Sequence, residues 1–223
     1  MRLNEPQTED ELLARCQTLA GKTFAQLASL LTLVIPTEVV ERKGWVGQAI
    51  ELALGASAGS QSKPDFVQLG VELKTIPVTA SGRPAESTFV TNIPLLTIHE
   101  QTWETSQCFS KLKRVLWIPI ESDSGIPFVH RRIGQPILWS PTQAQQDVLS
   151  TDWTELTTMI AMGQLNQLDA TFGVYLQVRP KAANARSRCL GFDEQGCKVQ
   201  TIPRGFYLRS RFTAEIISPH LSV

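Results

Sequence analysis

The chain has 223 residues, 42% apolar and 19% charged, which marks a folded globular protein and excludes a disordered one. No apolar run reaches the ~18 residues of a membrane span. The opening stretch MRLNEPQTEDELL lacks the apolar core of an export signal, so a cytoplasmic protein with four reduced cysteines (Cys16, Cys108, Cys189, Cys197) is expected. Charge balances at 21 against 21, but unevenly: residues 1–178 carry 13 lysines and arginines against 18 carboxylates (net −5), and residues 179–211 carry eight against two (net +6). That basic stretch, beside Phe206 and Tyr207, suits a polyanion such as DNA, or a solvated face.

In chain order, Thr8 and Glu11 form a capping box for a helix over 8–20, with Leu12, Leu13, Cys16 and Leu19 at helical spacing. Thr23 and Gln26 start a second helix that reaches about residue 31, and a third runs from about Trp45 to Leu54. Residues 55–64 read as a small-residue loop. Residues 65–76 change period: after Gly70, Val71, Leu73 and Thr75 alternate with Glu72, Lys74 and Ile76, as in a strand. Further strands are expected at 86–93, 114–120, 135–139, 172–179, 198–202 and 205–209. Ser140 and Pro141 open one long helix to about Gly163, with Val148, Leu149, Trp153, Leu156, Met159 and Ile160 as its buried stripe. The order gives a mixed α/β (α+β) core with helices outside, expected as a single bilobed domain over 1–223.

The chemistry-bearing pattern is Asp65-x6-Glu72-x-Lys74. Glu72 and Lys74, two apart on a strand, project from one face, and Asp65 just before the strand can turn back to meet them. Two carboxylates with open geometry hold Mg²⁺ by oxygen, and a neighbouring lysine can position or deprotonate a water or offset phosphate charge. The spacing alone is common, and its bland reading is an exposed strand face with an ordinary charge pair. Glu51, one of few polar residues in an apolar helix, fits a third oxygen ligand or simply a solvent-facing position. Lys111, in Lys111-Leu112-Lys113-Arg114, fits a cation near a phosphate or the solvated start of a strand. Nothing matches a phosphate-binding loop, a nucleophile elbow or zinc-ligand spacing.

Several blocks together resemble the MutH family of methyl-directed mismatch-repair endonucleases, within the type II restriction-endonuclease-like superfamily. They are 43–59 (KGWVGQAIELALGASAG), 65–77 (DFVQLGVELKTIP), 102–106 (TWETS), 111–119 (KLKRVLWIP), 138–141 (LWSP), 177–184 (QVRPKAAN) and 203–208 (PRGFYL). The resemblance implies a restriction-endonuclease-like core whose two lobes flank a DNA cleft. It implies Mg²⁺ held by Asp65, Glu72 and Glu51, with Lys74 as the catalytic lysine and Lys111 as a further active-site cation. It also implies DNA-binding roles for Lys43, Arg179, Lys181, Arg204 and Tyr207, with Arg179 and Lys181 reading bases and Tyr207 sensing adenine methylation. The implied activity is nicking of the unmethylated strand 5′ to the G of hemimethylated GATC sites by a monomer. Its partners would be double-stranded DNA and ATP-bound MutL, with MutS upstream and no membrane. Read from the residues alone, Tyr207 could be a packed strand aromatic, and Arg179 and Lys181 plain phosphate contacts. Two rivals stand beside this reading. One is a restriction enzyme cutting both strands at GATC. The other is a DNA-binding scaffold, against which the carboxylates argue, since without a metal they repel phosphate.

Overall fold

The computed structural model describes residues 3–59, 61–169, 171–182, 184 and 186–221. The chain divides into two units, each discontinuous in sequence. The first takes a segment ending at Glu86, then Arg114–Ser140, and a last segment beginning at Ala214; the second takes Ser87–Lys113 and Pro141–Thr213.

The first unit opens with three helices. In α1 (Glu9–Leu19) the Thr8 hydroxyl accepts from the Glu11 amide at 3.1 Å, as expected, but the Glu11 carboxylate reaches back to the amide of Gln7 rather than of Thr8. In α2 (Phe24–Leu31) the expected Thr23–Gln26 box is complete. α3 (Val39–Leu54) starts about six residues earlier than its apolar run suggests, with no side-chain cap at Glu38 to announce it. It ends at Gly55, whose φ of 82° is left-handed and where a Cβ would stand 2.5 Å from the Asn4 carbonyl oxygen, so only glycine fits.

The helices bury Leu12, Phe24, Leu27, Val46, Ile50 and Leu54 against Phe66, Val71, Leu116 and Ile118. The last two belong to a three-stranded sheet ordered β1 (Glu72–Val78), β3 (Val115–Glu121), β4 (Ile137–Trp139). β1 and β3 run parallel, with Lys74 opposite Trp117, and β3 and β4 antiparallel. Parallel neighbours need a crossover, and here it carries the whole segment 87–113 of the second unit.

The second unit is built on an antiparallel sheet ordered β2 (Thr88–Asn92), β8 (Arg204–Leu208), β5 (Leu176–Pro180). A hairpin of β6 (Cys189–Phe192) and β7 (Lys198–Thr201) and helices α4 (Gln107–Leu112) and α5 (Gln143–Ala161) complete it. α5 is capped by Thr142, with Gln145 closing the box, so Ser140 and Pro141 lie before the helix rather than at its cap and first position. Of the expected stripe, Leu149, Trp153, Leu156 and Ile160 are buried, and Val148 and Met159 are half-buried. The last helix, α6 (Ser210–Ile217), spans the boundary between the two units' segments. The architecture is the mixed α/β arrangement expected, with the short elements α4, α6 and β6 added.

Among the described residues no helix is long and apolar enough to cross a membrane. All four cysteines are free thiols, and burial pushes the Cys16 thiol up to about 12, the Cys108 thiol also upward, leaving both unreactive.

Candidate active site and nucleic-acid interface

A tight reversal brings Asp65 back to the start of β1. Phe66 and Val71 exchange both backbone hydrogen bonds (2.9 and 3.2 Å), and Gly70 takes the left-handed φ of 66° that the turn requires. The chain therefore doubles back within six residues. The Asp65 carboxylate then accepts a hydrogen bond from the Leu73 amide, Oδ2 to N 2.8 Å, between Glu72 and Lys74. The Asp65 carbonyl accepts from the amides of Ser57 and Ala58, which tie it to the end of α3.

Glu72 is only 2% exposed, and Lys74 Nζ lies 2.5 Å from its Oε1 with the lysine side chain 15% exposed. This overturns the bland reading of an exposed strand face. A buried carboxylate costs several kcal/mol of desolvation, so it persists only where a cation and hydrogen bonds compensate it. Here the strand supplies the partner two residues on.

Glu51 is half-buried on α3, where its carbonyl accepts from Gly55 and Ala56. α3 lies against β1 through Gly47, whose built Cβ would be 3.9 Å from the Thr75 hydroxyl. Glu51, one turn further, is on the same helix face toward the end tied to Asp65. Among the described residues no three His, Cys, Asp or Glu side chains gather as a metal-holding group. The two carboxylates at this strand start are of the hard-oxygen kind that Mg²⁺ takes, since that ion commonly uses one or two carboxylates and completes its shell with water and substrate phosphate. Lys111 stands half-buried in the last turn of α4, in the second unit, on a helix N-capped by Ser106 rather than on a strand start.

The second unit gathers the basic residues on its sheet. Phe89, Tyr207 and Gln177 lie opposite one another across β2, β8 and β5. Tyr207 meets Phe89 edge-on, ring centroids 5.3 Å apart. The Arg179 guanidinium sits 5.7 Å from the Tyr207 ring and the Lys181 ammonium 4.5 Å from the Phe89 ring. Gly205 makes room for this group: a Cβ there would stand 2.8 Å from Phe89 Cε2. Tyr207 is thus part of a mixed cationic and aromatic face rather than a lone core aromatic. Phe89 escaped the sequence reading because only pairing across more than a hundred residues brings it to Tyr207. Its one signal was position, an aromatic within the expected strand 86–93.

Arg204 opens β8 opposite Pro180, half-buried, with its Nε buried and without a hydrogen-bond partner. Burial lowers its pKa from the ordinary arginine value, and the neighbouring Cys189 partly offsets this. Lys43 lies in α3, and its side chain falls outside the described residues.

Comparison with known proteins bears directly on this site. The sequence pattern of the family described as "DNA mismatch repair enzyme MutH" matches residues 54–152, which include Asp65, Glu72, Lys74 and Lys111. The DNA mismatch repair protein MutH of Escherichia coli (strain K12) is 48% identical over 221 residues, 99% of this chain and 96% of that protein. The chain belongs to the MutH family. The protein of the same name from Escherichia coli O1:K1 / APEC gives the same identity and coverage. The matched length covers both units. The mixed α/β fold agrees with the restriction-endonuclease-like fold of the family.

Proposed function

We propose that this protein is a Mg²⁺-dependent DNA endonuclease of mismatch repair that nicks the unmethylated strand, 5′ to the G, at hemimethylated GATC sites. In this reading it acts in the cytoplasm as a monomer, activated by MutL, with MutS upstream. The observation that carries the nuclease reading is the joining of Asp65, Glu72 and Lys74 around one strand start, with Glu72 buried and ion-paired. The membership of the MutH family supports the mismatch-repair setting.

Asp65 and Glu72 are the residues to hold Mg²⁺ through carboxylate oxygens, with Glu51 approaching from α3. When bound, the ion offsets phosphate charge and acidifies a water. Lys74, on the rigid strand β1, directs its ammonium to the same place; it holds the attacking water or stabilises charge developing on the phosphate oxygens. Lys111 adds a further cation. On the sheet of the second unit, Lys181 and Arg179 donate to guanine acceptors in the major groove. Tyr207, steadied by Phe89, packs where an adenine N6 hydrogen fits and a methyl clashes, a discrimination worth about 1–3 kcal/mol. Lys43 and Arg204 contribute further DNA contacts.

The deciding experiment is a nicking assay with Mg²⁺ on supercoiled plasmids bearing unmethylated, hemimethylated or fully methylated GATC, or none, with and without MutL and ATP. The expected result is nicks 5′ to G on unmethylated strands only, stimulated by MutL and abolished in Glu72→Ala with DNA binding retained. Cutting of both strands regardless of methylation would make it a restriction enzyme. Sequence-specific binding with no cutting would leave a scaffold.

A further inference from the structure

We infer that a concave site lined by Ser87, Gln177, Arg179, Arg209, Ser210 and Arg211 is a seat for a backbone phosphate of the DNA strand beside the Tyr207 face, an inference that rests on the DNA-binding reading above. The cavity holds about 320 Å³, and among the described residues its lining carries three guanidiniums, two hydroxyls, one amide and no carboxylate. All six residues belong to the second unit.

The guanidiniums are fixed on neutral oxygens. Arg179 donates to the Ser87 hydroxyl at 2.5 Å, Arg211 to the Val174 carbonyl at 2.8 Å, and Arg209 to the carbonyls of Gly173 (3.0 Å) and Phe172 (2.6 Å). The bonds of Arg179 and Arg211, to a hydroxyl and a carbonyl, hold those forks in place without cancelling their charge. Asp152, behind the same segment, is engaged by the amides of Val174, Tyr175 and Leu176.

Their placement on α6 is the second observation. Arg209 precedes the helix and Arg211 is its second residue, with no acidic residue in the first turn. Cations at the positive end of a helix oppose its dipole, where an anion is favoured. The helix dipole does not favour that arrangement, but an anion seated there meets both the arginines and the helix end. A phosphodiester fits: it takes planar, paired guanidinium donors and hydroxyls. Arg179 belongs to both places, lining the seat and lying over the Tyr207 ring. A phosphate held here would set the register in which Tyr207 and Lys181 meet base edges, the positioning task that phosphate contacts perform.

The test uses the full chain and fluorescence anisotropy on two duplexes, one with GATC and one scrambled, between 50 and 200 mM salt, for the parent, Arg211→Gln and Arg211→Lys. Arg211 is exposed, and thermal melts of each variant control for folding. A lost phosphate contact should lower the slope of log affinity against log salt by about one and weaken both duplexes alike, about 5–10-fold. Arg211→Lys, which keeps the charge, should keep the slope. An unchanged slope in Arg211→Gln would overturn the inference, and so would a loss confined to the GATC duplex. A loss that Lys does not restore and that follows a lowered melting temperature would assign Arg211 to holding Val174 alone. If the parent bound neither duplex, the DNA-binding reading itself would fall, and this seat with it.

Discussion

The Asp65 carboxylate accepts the Leu73 amide at 2.8 Å, so the first acid of the motif is fixed to the backbone between the second acid and the lysine. The bond needs an oxygen acceptor, not a charge, and metal binding needs the charge. Asp65→Asn should therefore separate the two. It is expected to shift the melting temperature by less than about 4 °C, the equivalent of ~1 kcal/mol in a chain of this size, while nicking falls by more than about 100-fold. Equal activity in the variant would remove Asp65 from the metal site.

Glu72 and Lys74 form an ion pair whose acid is buried and whose base is mostly so. Lys74→Ala strands the carboxylate, and about 3 kcal/mol of stability should be lost. The double change Glu72→Gln with Lys74→Met removes both charges and should cost clearly less than the two single changes summed. Urea midpoints for the four proteins give the coupling; strict additivity would mean that the pair contributes nothing to the fold.

Asp152 is buried in α5 and accepts three amides, those of Val174, Tyr175 and Leu176, at 2.6–2.8 Å. It pins the start of β5, the strand that carries Gln177 and Arg179. Asp152→Ala leaves three amide donors, that of Leu176 buried, without their acceptor and should cost about 1–3 kcal/mol, with Asn intermediate. Site-specific DNA binding should weaken alongside, since the lost order is upstream of Arg179. Urea denaturation and the anisotropy assay together decide; full stability in the Ala variant would refute the clamp.

Gly205 lies beneath the Phe89 ring, where a Cβ would approach to 2.8 Å of Cε2 and 3.1 Å of the Thr91 carbonyl oxygen. Gly205→Ala should destabilise by about 1–3 kcal/mol through overpacking. Adding Phe89→Leu should recover part of that stability but, on the proposed role of Tyr207, not the discrimination against methylated adenine. Recovery of neither would place the strain at the Thr91 carbonyl.

Glu9 meets Arg114 through two contacts (2.8 and 2.5 Å), and this holds the Glu9 carboxyl below the usual carboxylate range. Because the folded-state pKa is lowered, the stabilisation is complete above about pH 4.5, the ordinary glutamate value, and is lost as pH falls through the lowered one. Both side chains are about a third exposed, so solvent screens the pair and its worth is below about 1 kcal/mol. Glu9→Gln should be slightly less stable than the parent at pH 7 and equal to it near pH 2. The Arg114 carbonyl accepts the Glu72 amide at 3.0 Å, so the variant also reports how far this clasp steadies the catalytic strand.

What could be read from the sequence was what is local. Thr8, Thr23 and Gln26 announce α1 and α2 because a cap and its helix lie within four residues. Asp65, Glu72 and Lys74 were legible because one turn closes the group. The start of α3 was hidden, since Glu38 gives no side-chain cap. Ser140 was misread as a cap because Thr142, two residues on, has the glutamine at the right distance. The burial of Glu72 could not be foreseen either: it depends on tertiary packing, and even the neighbouring strand β3 follows only after some forty intervening residues. Phe89 and Gly205, like Arg179 and the two arginines at the start of α6, meet only through strand pairing and chain reversal, which no spacing encodes.

The chain passes between its two units four times, after Glu86, Lys113, Ser140 and Thr213. During synthesis, β1 leaves the ribosome before its neighbour β3, and the segment that separates them must be held unfinished, because its own sheet waits for β5 and β8 near the end. Neither unit is therefore one continuous stretch of the chain, and no single cut in the gene separates the unit carrying Glu72 from the unit carrying Tyr207. A truncation anywhere before residue 213 removes part of both.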